Sequence, residues 1–215
     1  MNKRLLWTAV AGAFVFVGAC NNRSVTGPAS GQGMLAMKLT DAPVPFDSVK
    51  EVNVFVVRID ARRAHADAGN ADVDVENEHA ENHEKPDSTL WVTIAAPNTT
   101  FNLLALQGGV SAFLGATAVD TGHFRAIRLI IDPARSTVVL KDGTVLTTTS
   151  TSPVEFEQRG RHGLLVELNE TVEVHEKETT TIVLDFRLDR SLTLRGRGVH
   201  DGFFFRPVIV GAHER

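Results

Sequence analysis

Short runs rich in Val, Ile, Leu, Phe and Thr, closed by Gly, Pro, Asn or Asp, recur from Leu35 almost to the end of the chain. Branched and aromatic side chains fit a pleated, half-buried surface, and turn residues every few positions leave no room for long helices. We read strands at Leu35–Thr40, Val52–Ala61, Leu90–Ile94, Phe124–Asp132, Thr137–Leu140, Thr144–Thr148, Leu164–Leu168, Thr171–His175, Thr179–Leu188 and Phe204–Val210. Short strands joined by tight turns predict an all-β fold: an antiparallel β-sandwich, immunoglobulin-like or transthyretin-like, forming one domain over residues 34–213.

Alternation within the runs shows which face is buried. Val52, Val54 and Val56 share one side of a strand, and so do Ile182, Leu184, Phe186 and Leu188, with Asp185 and Arg187 on the other. Side chains two apart point the same way, so one face is core and the other meets water. Lys141-Asp142-Gly143 is a hairpin turn, because Gly after Asp accepts the positive φ such turns require. The one helical pattern, Leu103–Leu114, carries Gly108-Gly109 at its centre. Each glycine costs a helix about 1 kcal/mol relative to alanine, so the expectation is one turn of helix beside a loop.

Ahead of the strands, residues 1–19 have the layout of an export signal: Lys3 and Arg4, an apolar stretch from Leu5 to Val17, then Gly18 and Ala19. The stretch is shorter than the roughly 20 apolar residues that a spanning helix needs. Val17-Gly18-Ala19-Cys20 resembles a lipobox, which implies cleavage before Cys20, diacylglycerol on its sulfur and an acyl chain on the new amino group. Cys20 is the only cysteine, so an internal disulfide is impossible and the thiol reads as an attachment point. Two or more acyl chains hold a protein firmly to a bilayer. Residues 20–33, rich in Ser, Gly and Asn, then read as a tether standing the domain off the membrane. Asn21 after the cysteine points to the outer membrane, facing the periplasm or the surface.

Without Lys3 and Arg4 the chain carries 20 basic against 26 acidic residues, which argues against a nucleic-acid partner. Acid concentrates at residues 64–88. His65, Asp72, Asp74, Glu76, Glu78, His79, Glu81 and His83 form a candidate set for a weakly held divalent cation, with Asp72, Asp74, Glu76 and Glu78 on one face if extended. The spacing lacks the glycine and distal glutamate of an EF-hand, and His79-Ala80-Glu81-Asn82-His83 is not the zinc-protease order. A solvated acidic, His-rich loop between strands accounts for the same composition.

Arg187, Arg190, Arg195, Arg197 and Arg206 form a basic cluster, either facing an anionic surface such as phospholipid headgroups or lining sheet and loop as ordinary polar residues, the commoner use. No Gly-x-Ser-x-Gly elbow is present, and Ser111 and Ser191 have no histidine nearby in sequence. With no Tyr, sugar-stacking platforms are scarce; Trp91 and Phe203–Phe205 are expected in the core. Pro43 and Pro45 stiffen the strand exit at Asp41–Phe46, where Asp41 is expected to bond the turn backbone.

Several segments together resemble the envelope protein family known as domain of unknown function 4382. They are Leu39-Thr40-Asp41-Ala42-Pro43, Trp91-Val92-Thr93, Phe101-Asn102-Leu103-Leu104-Ala105-Leu106, Gly122-His123-Phe124-Arg125-Ala126-Ile127-Arg128-Leu129, Leu184-Asp185-Phe186 with Arg190-Ser191-Leu192, and Phe205-Arg206-Pro207-Val208. The resemblance covers most of residues 33–210, implies a lipid-anchored or secreted β-sandwich, marks 65–87 as an insertion, and brings no catalytic residues. The expectation is a non-enzymatic, lipid-anchored module of the cell envelope with no cofactor beyond the lipid on Cys20. Its partner would be the membrane and an envelope protein or a glycan; the alternative is a ligand-binding lipoprotein for metal or glycan.

Overall fold

The structure is a computed structural model that describes residues 27–43, 47–64, 90–157 and 163–214. These form fourteen strands: β1 (Gln32–Asp41), β2 (Val49–Arg63), β3 (Trp91–Ala95), β4 (Thr99–Asn102), β5 (Ala112–Asp120), β6 (Gly122–Ile131), β7 (Thr137–Leu140), β8 (Val145–Leu146), β9 (Val154–Phe156), β10 (Leu164–Val174), β11 (Thr179–Phe186), β12 (Leu192–Leu194), β13 (Phe203–Phe205) and β14 (Ile209–His213). One four-residue helix, α1 (Leu188–Ser191), and 3-10 turns at Leu103–Leu106, Pro133–Arg135 and Val199–Asp201 complete the described elements.

Eleven strands make one curled sheet in the order β5-β1-β11-β14-β10-β6-β2-β7-β8, with β3 and β4 also on β2. The curl lays one half of the sheet over the other. Its corner is β14, which pairs with β11 over five residues but meets β10 only at Leu168↔Gly211. At the far side the halves meet again, because a Cβ placed on Gly115 of β5 would lie 2.6 Å from the Ala95 Cβ of β3. Strands β12, β13 and β9 form a second, small sheet. The fold is sandwich-like and all-β, as expected. Most ladders are antiparallel, but β1–β11, β10–β14 and β13–β9 run parallel.

The core fills the space between the halves. Leu35, Met37 and Leu39 of β1 and Ile182, Leu184 and Phe186 of β11 face Val54, Val56 and Ile59 of β2 and Ile127 and Leu129 of β6. Both expected alternations hold, with Val52, Val54, Val56, Ile182, Leu184, Phe186 and Leu188 all buried. A register shift between Val56 and Arg58 then moves the inward positions of β2 from even to odd numbers. Ile59 and Ala61 thereby point inward, and Arg58, Asp60 and Arg62 outward.

Several expected boundaries move. The helical stretch Leu103–Leu114 is a single 3-10 turn, Leu103–Leu106, in which the Leu104 amide donates to Asn102 Oδ1. Gly108 and Gly109 take φ of 69° and 90°, ending the turn before β5. The segment read as Phe204–Val210 is two strands in two sheets: Pro207 has no amide to offer a ladder, and Arg206 N and Val208 N both turn to Ser191. Leu164–Leu168 and Thr171–His175 are one strand with a register shift, and Thr179–Leu188 ends at Phe186, where α1 follows. Strand β1 begins at Gln32, so Gln32 and Gly33 pair with β5 and are not tether.

Candidate functional site

Two buried carboxylates organise the polar interior. Asp41, at the end of β1, is 3% exposed. Its Oδ1 accepts from the Leu188 amide at 3.0 Å and its Oδ2 from Gln107 Nε2 at 3.1 Å. Residues 44–46 of the Asp41–Phe46 turn lie outside the described residues; the bonds that Asp41 does make are long-range, reaching the first turn of α1, where the N-cap residue Arg187 offers no side-chain bond. Thr40 next to it donates to the carbonyls of Leu106 and Val110. Ser191 Oγ donates to Arg187 O and accepts from the Val208 amide. Four separated segments are therefore tied together at one end of the sandwich by side chains that bond backbone. Burial raises the Asp41 pKa from 3.8 to about 6; the charges of Asp185 and Asp189 add to it, and the bonds from Gln107 and Leu188 oppose it.

Asp60 is 1% exposed although it projects from the outward face of β2. Its cover is other side chains. Arg128 of β6 reaches Oδ2 through Nη2 at 2.7 Å and Nε at 3.0 Å, and Arg58 Nε lies 3.0 Å from Oδ1. Thr93 of β3 donates to Oδ1 at 2.8 Å. The registers Asp60↔Arg128 and Asp60↔Thr93 make this inevitable, because directly paired residues point the same way. The Arg128 and Arg62 guanidiniums lie over the Trp91 ring, 4.4 Å and 5.4 Å from its centroid. Trp91 is therefore half-buried under arginines on the outer face and not in the core.

Other sequence-based candidates fall as follows. Cys20 and the set His65, Asp72, Asp74, Glu76, Glu78, His79, Glu81 and His83 lie outside the described residues. Among the described residues no group of three His, Cys, Asp or Glu is placed to hold a metal, and no helix is long and apolar enough to cross a membrane. In the basic cluster, Arg187 and Arg190 approach Asp189, Arg195 contacts Glu155 at 2.8 Å, and Arg206 lies 3.7 Å from Glu157. Those paired arginines are the polar face of sheet and loop. Phe203 and Phe205 are core as expected, whereas Phe204 points outward between Arg195 and Arg206. A shallow cavity of about 240 Å³ lies between the β7–β8 hairpin and the Val199–Asp201 turn, lined by Asp47, Lys141 and His200 among others.

The Asp60 cluster is not anticipated by the sequence. Arg58, Asp60 and Arg62 alternate in the sequence, a pattern that reads as a solvated strand face. Nothing local reveals that Arg128 and Trp91 close over it.

A family model described as "Domain of unknown function (DUF4382)" matches residues 32–207. No curated protein and no solved structure matches the chain.

Proposed function

The chain belongs to the family of domains of unknown function DUF4382, and on that premise we propose that it is a lipid-anchored protein of the cell envelope whose β-sandwich works as a non-catalytic structural or binding module. One observation carries the non-catalytic part. Motif residues Thr40, Asp41, Asn102 and Ser191 bond the backbones of Leu106, Leu188, Leu104 and Val208, so their polar atoms hold segments together. Asp41 and Asp60, the two fully buried carboxylates among the described residues, spend both oxygens on protein donors, which supports a structural role for them.

The anchored part follows from the charged, apolar and small-residue order that ends at Cys20. Lipid on that sulfur makes the membrane the first partner, and an envelope protein or glycan the second. Asn21 favours the outer membrane. The test is the mass of the N-terminal peptide from protein isolated out of membranes. A chain starting at Cys20 with a diacylglyceryl thioether is expected; a free thiol on a chain still starting at Met1 refutes the anchor. Cys20→Ala should move the protein from the membrane to the soluble fraction.

A further inference from the structure

Three stretches of the chain read Asn-x-Ser or Asn-x-Thr: Asn22-Arg23-Ser24, Asn98-Thr99-Thr100 and Asn169-Glu170-Thr171. In an exported protein this order is the acceptor signal for N-linked glycosylation, and it is short enough to recur by chance. What decides is whether the fold can offer the three residues to an enzyme as an exposed, extended segment. The first stretch lies outside the described residues, and the other two differ in this respect.

Asn169-Glu170-Thr171 sits within β10, where the ladder with β6 breaks. Glu167 pairs with Ala126 and Val172 with Phe124, so Leu168, Asn169, Glu170 and Thr171 stand opposite Arg125 alone. Leu168 is taken up by Gly211 of β14, which leaves the next three residues with no strand partner in either ladder. Extra residues of this kind bulge out of a sheet. Asn169, Glu170 and Thr171 are accordingly exposed, and Val172 beyond them returns to the core. No hydrogen bond ties the Asn169 side chain among the described residues. Glu167, 59% exposed two positions before the asparagine, places an acid beside the acceptor and is held by one ion pair, to Arg62 at 3.2 Å. Asn98-Thr99-Thr100 is placed the other way. Asn98 occupies the β3–β4 turn at φ 46°, its Nδ2 donates to Ala96 O at 3.2 Å, and Thr99 and Thr100 pair with Val56 and Phe55 of β2. Drawing that segment into an enzyme would strip β4 from the sheet.

We propose that Asn169 is an N-glycosylation site, carrying an oligosaccharide added by a membrane oligosaccharyltransferase, and that Asn98 is passed over. The inference rests on the export reading above, because the chain meets such an enzyme only after crossing the membrane. The sugar donor is a polyprenyl-diphosphate-linked oligosaccharide. Asn169 Nδ2 attacks C1 of its first sugar: the N–C1 bond forms, the bond from C1 to the diphosphate oxygen breaks, polyprenyl diphosphate leaves, and one amide proton passes to a base of the enzyme. The Thr171 hydroxyl, two residues on, is the group by which the acceptor is recognised. An oligosaccharide here extends into solvent and displaces nothing from the core, since Asn169, Glu170 and Thr171 are all exposed.

The test isolates the full-length protein from its own membranes and reads its digest by fragmentation mass spectrometry that keeps sugars attached. An oligosaccharide on Asn169 and a bare Asn98 are expected. Asn169→Gln and Thr171→Ala should each remove the sugar from this peptide, and Asn98→Gln should leave it in place. Thr171→Ser should retain it, because the hydroxyl stays, and this separates loss of the signal from loss of the fold. A bare Asn169, an oligosaccharide on Asn98 in its stead, or one on Asn169 that survives Thr171→Ala overturns the proposal. The same digest contains the N-terminal peptide. A bare Asn169 beside a lipidated Cys20 removes the glycosylation site and keeps the anchor, whereas a glycosylated Asn169 beside an unmodified Cys20 keeps the site and removes the anchor.

Discussion

Asp41 meets Gln107 and the Leu188 amide away from water, and its proton is therefore coupled to folding. Its folded pKa of about 6 lies above the ordinary 3.8, so the folded state holds the proton more tightly. The stabilisation is complete below about 3.8 and is lost as the pH rises through 6, amounting to at most about 3 kcal/mol. Asp185 is shifted in the same direction and adds to the slope. Urea midpoints measured between pH 4 and 7 should accordingly fall less steeply in Asp41→Asn than in the parent. Asp41→Ala should lose about 1–3 kcal/mol at pH 7, because the buried Leu188 amide is left without an acceptor, and more toward pH 4, where the proton-linked stabilisation goes with the carboxyl. At Asp60 the expected loss is larger. Asp60→Ala strands Arg128 beside Trp91 and should cost about 3 kcal/mol, while Asp60→Leu with Arg128→Met should restore most of it in denaturant titrations. The sequence shows that Asp41 closes a strand ahead of Pro43, but not that its partner is the amide of Leu188, 147 residues on.

Elements were legible where local chemistry decides them. The Lys141-Asp142-Gly143 hairpin stands as expected, with Gly143 at φ 90°, its amide on Leu140 O, and Asp142 Oδ1 accepting from the Thr144 amide. Strand β5 was not legible, because Ala112-Phe113-Leu114-Gly115-Ala116 has neither steady alternation nor branched residues, and a register shift opposite Met37 and Lys38 interrupts its ladder. Its strand character comes from β1, a tertiary partner that overrides weak propensity. The three-residue strands β9 and β12 are likewise made by their pairing with β13. Gly33 shows the same dependence from the other side. Placed in a tether by composition, it sits in β1 where a Cβ would collide with the His175 carbonyl and come 2.6 Å from Val174 Cγ1. Gly33→Ala should therefore cost about 1–3 kcal/mol, read as a lowered urea midpoint. A tether residue would tolerate the change, so an unaltered midpoint would return Gly33 to the linker.

At the scale of the whole molecule, one strand joins the two halves of the sandwich, and it is among the last in the chain. Strand β14 lies antiparallel on β11 through Ile182↔His213 to Phe186↔Ile209 and meets β10 where Leu168 faces Gly211. A side chain at Gly211 would come 2.6 Å from Leu168 Cδ2 and 3.3 Å from Val166 Cγ1, so the corner is this tight because the residue has none. The alternation of Val52 to Val56 and of Ile182 to Leu188 announces which faces are buried, but no periodicity says that β1 and β11 pair in parallel across so long a stretch of chain. That long-range pairing places the fold among those with high contact order. The link should therefore be sensitive to small changes. A chain ending at Val208 lacks the corner, exposes the inner edges of β10 and β11, and should lose its cooperative denaturant transition. A chain ending at His213 gives up the Lys38–Glu214 pair, partly exposed on both sides, and the bond from the Glu214 amide to Thr181 O, and should keep a cooperative transition while losing no more than about 2 kcal/mol. Gly211→Val separates the corner from the mere presence of the strand: β14 remains available to β11, but the approach to Leu168 is blocked. If the sandwich depends on this one contact, that variant should resemble the longer truncation in its unfolding curve; if it keeps a parent-like midpoint, the halves are held by the core alone.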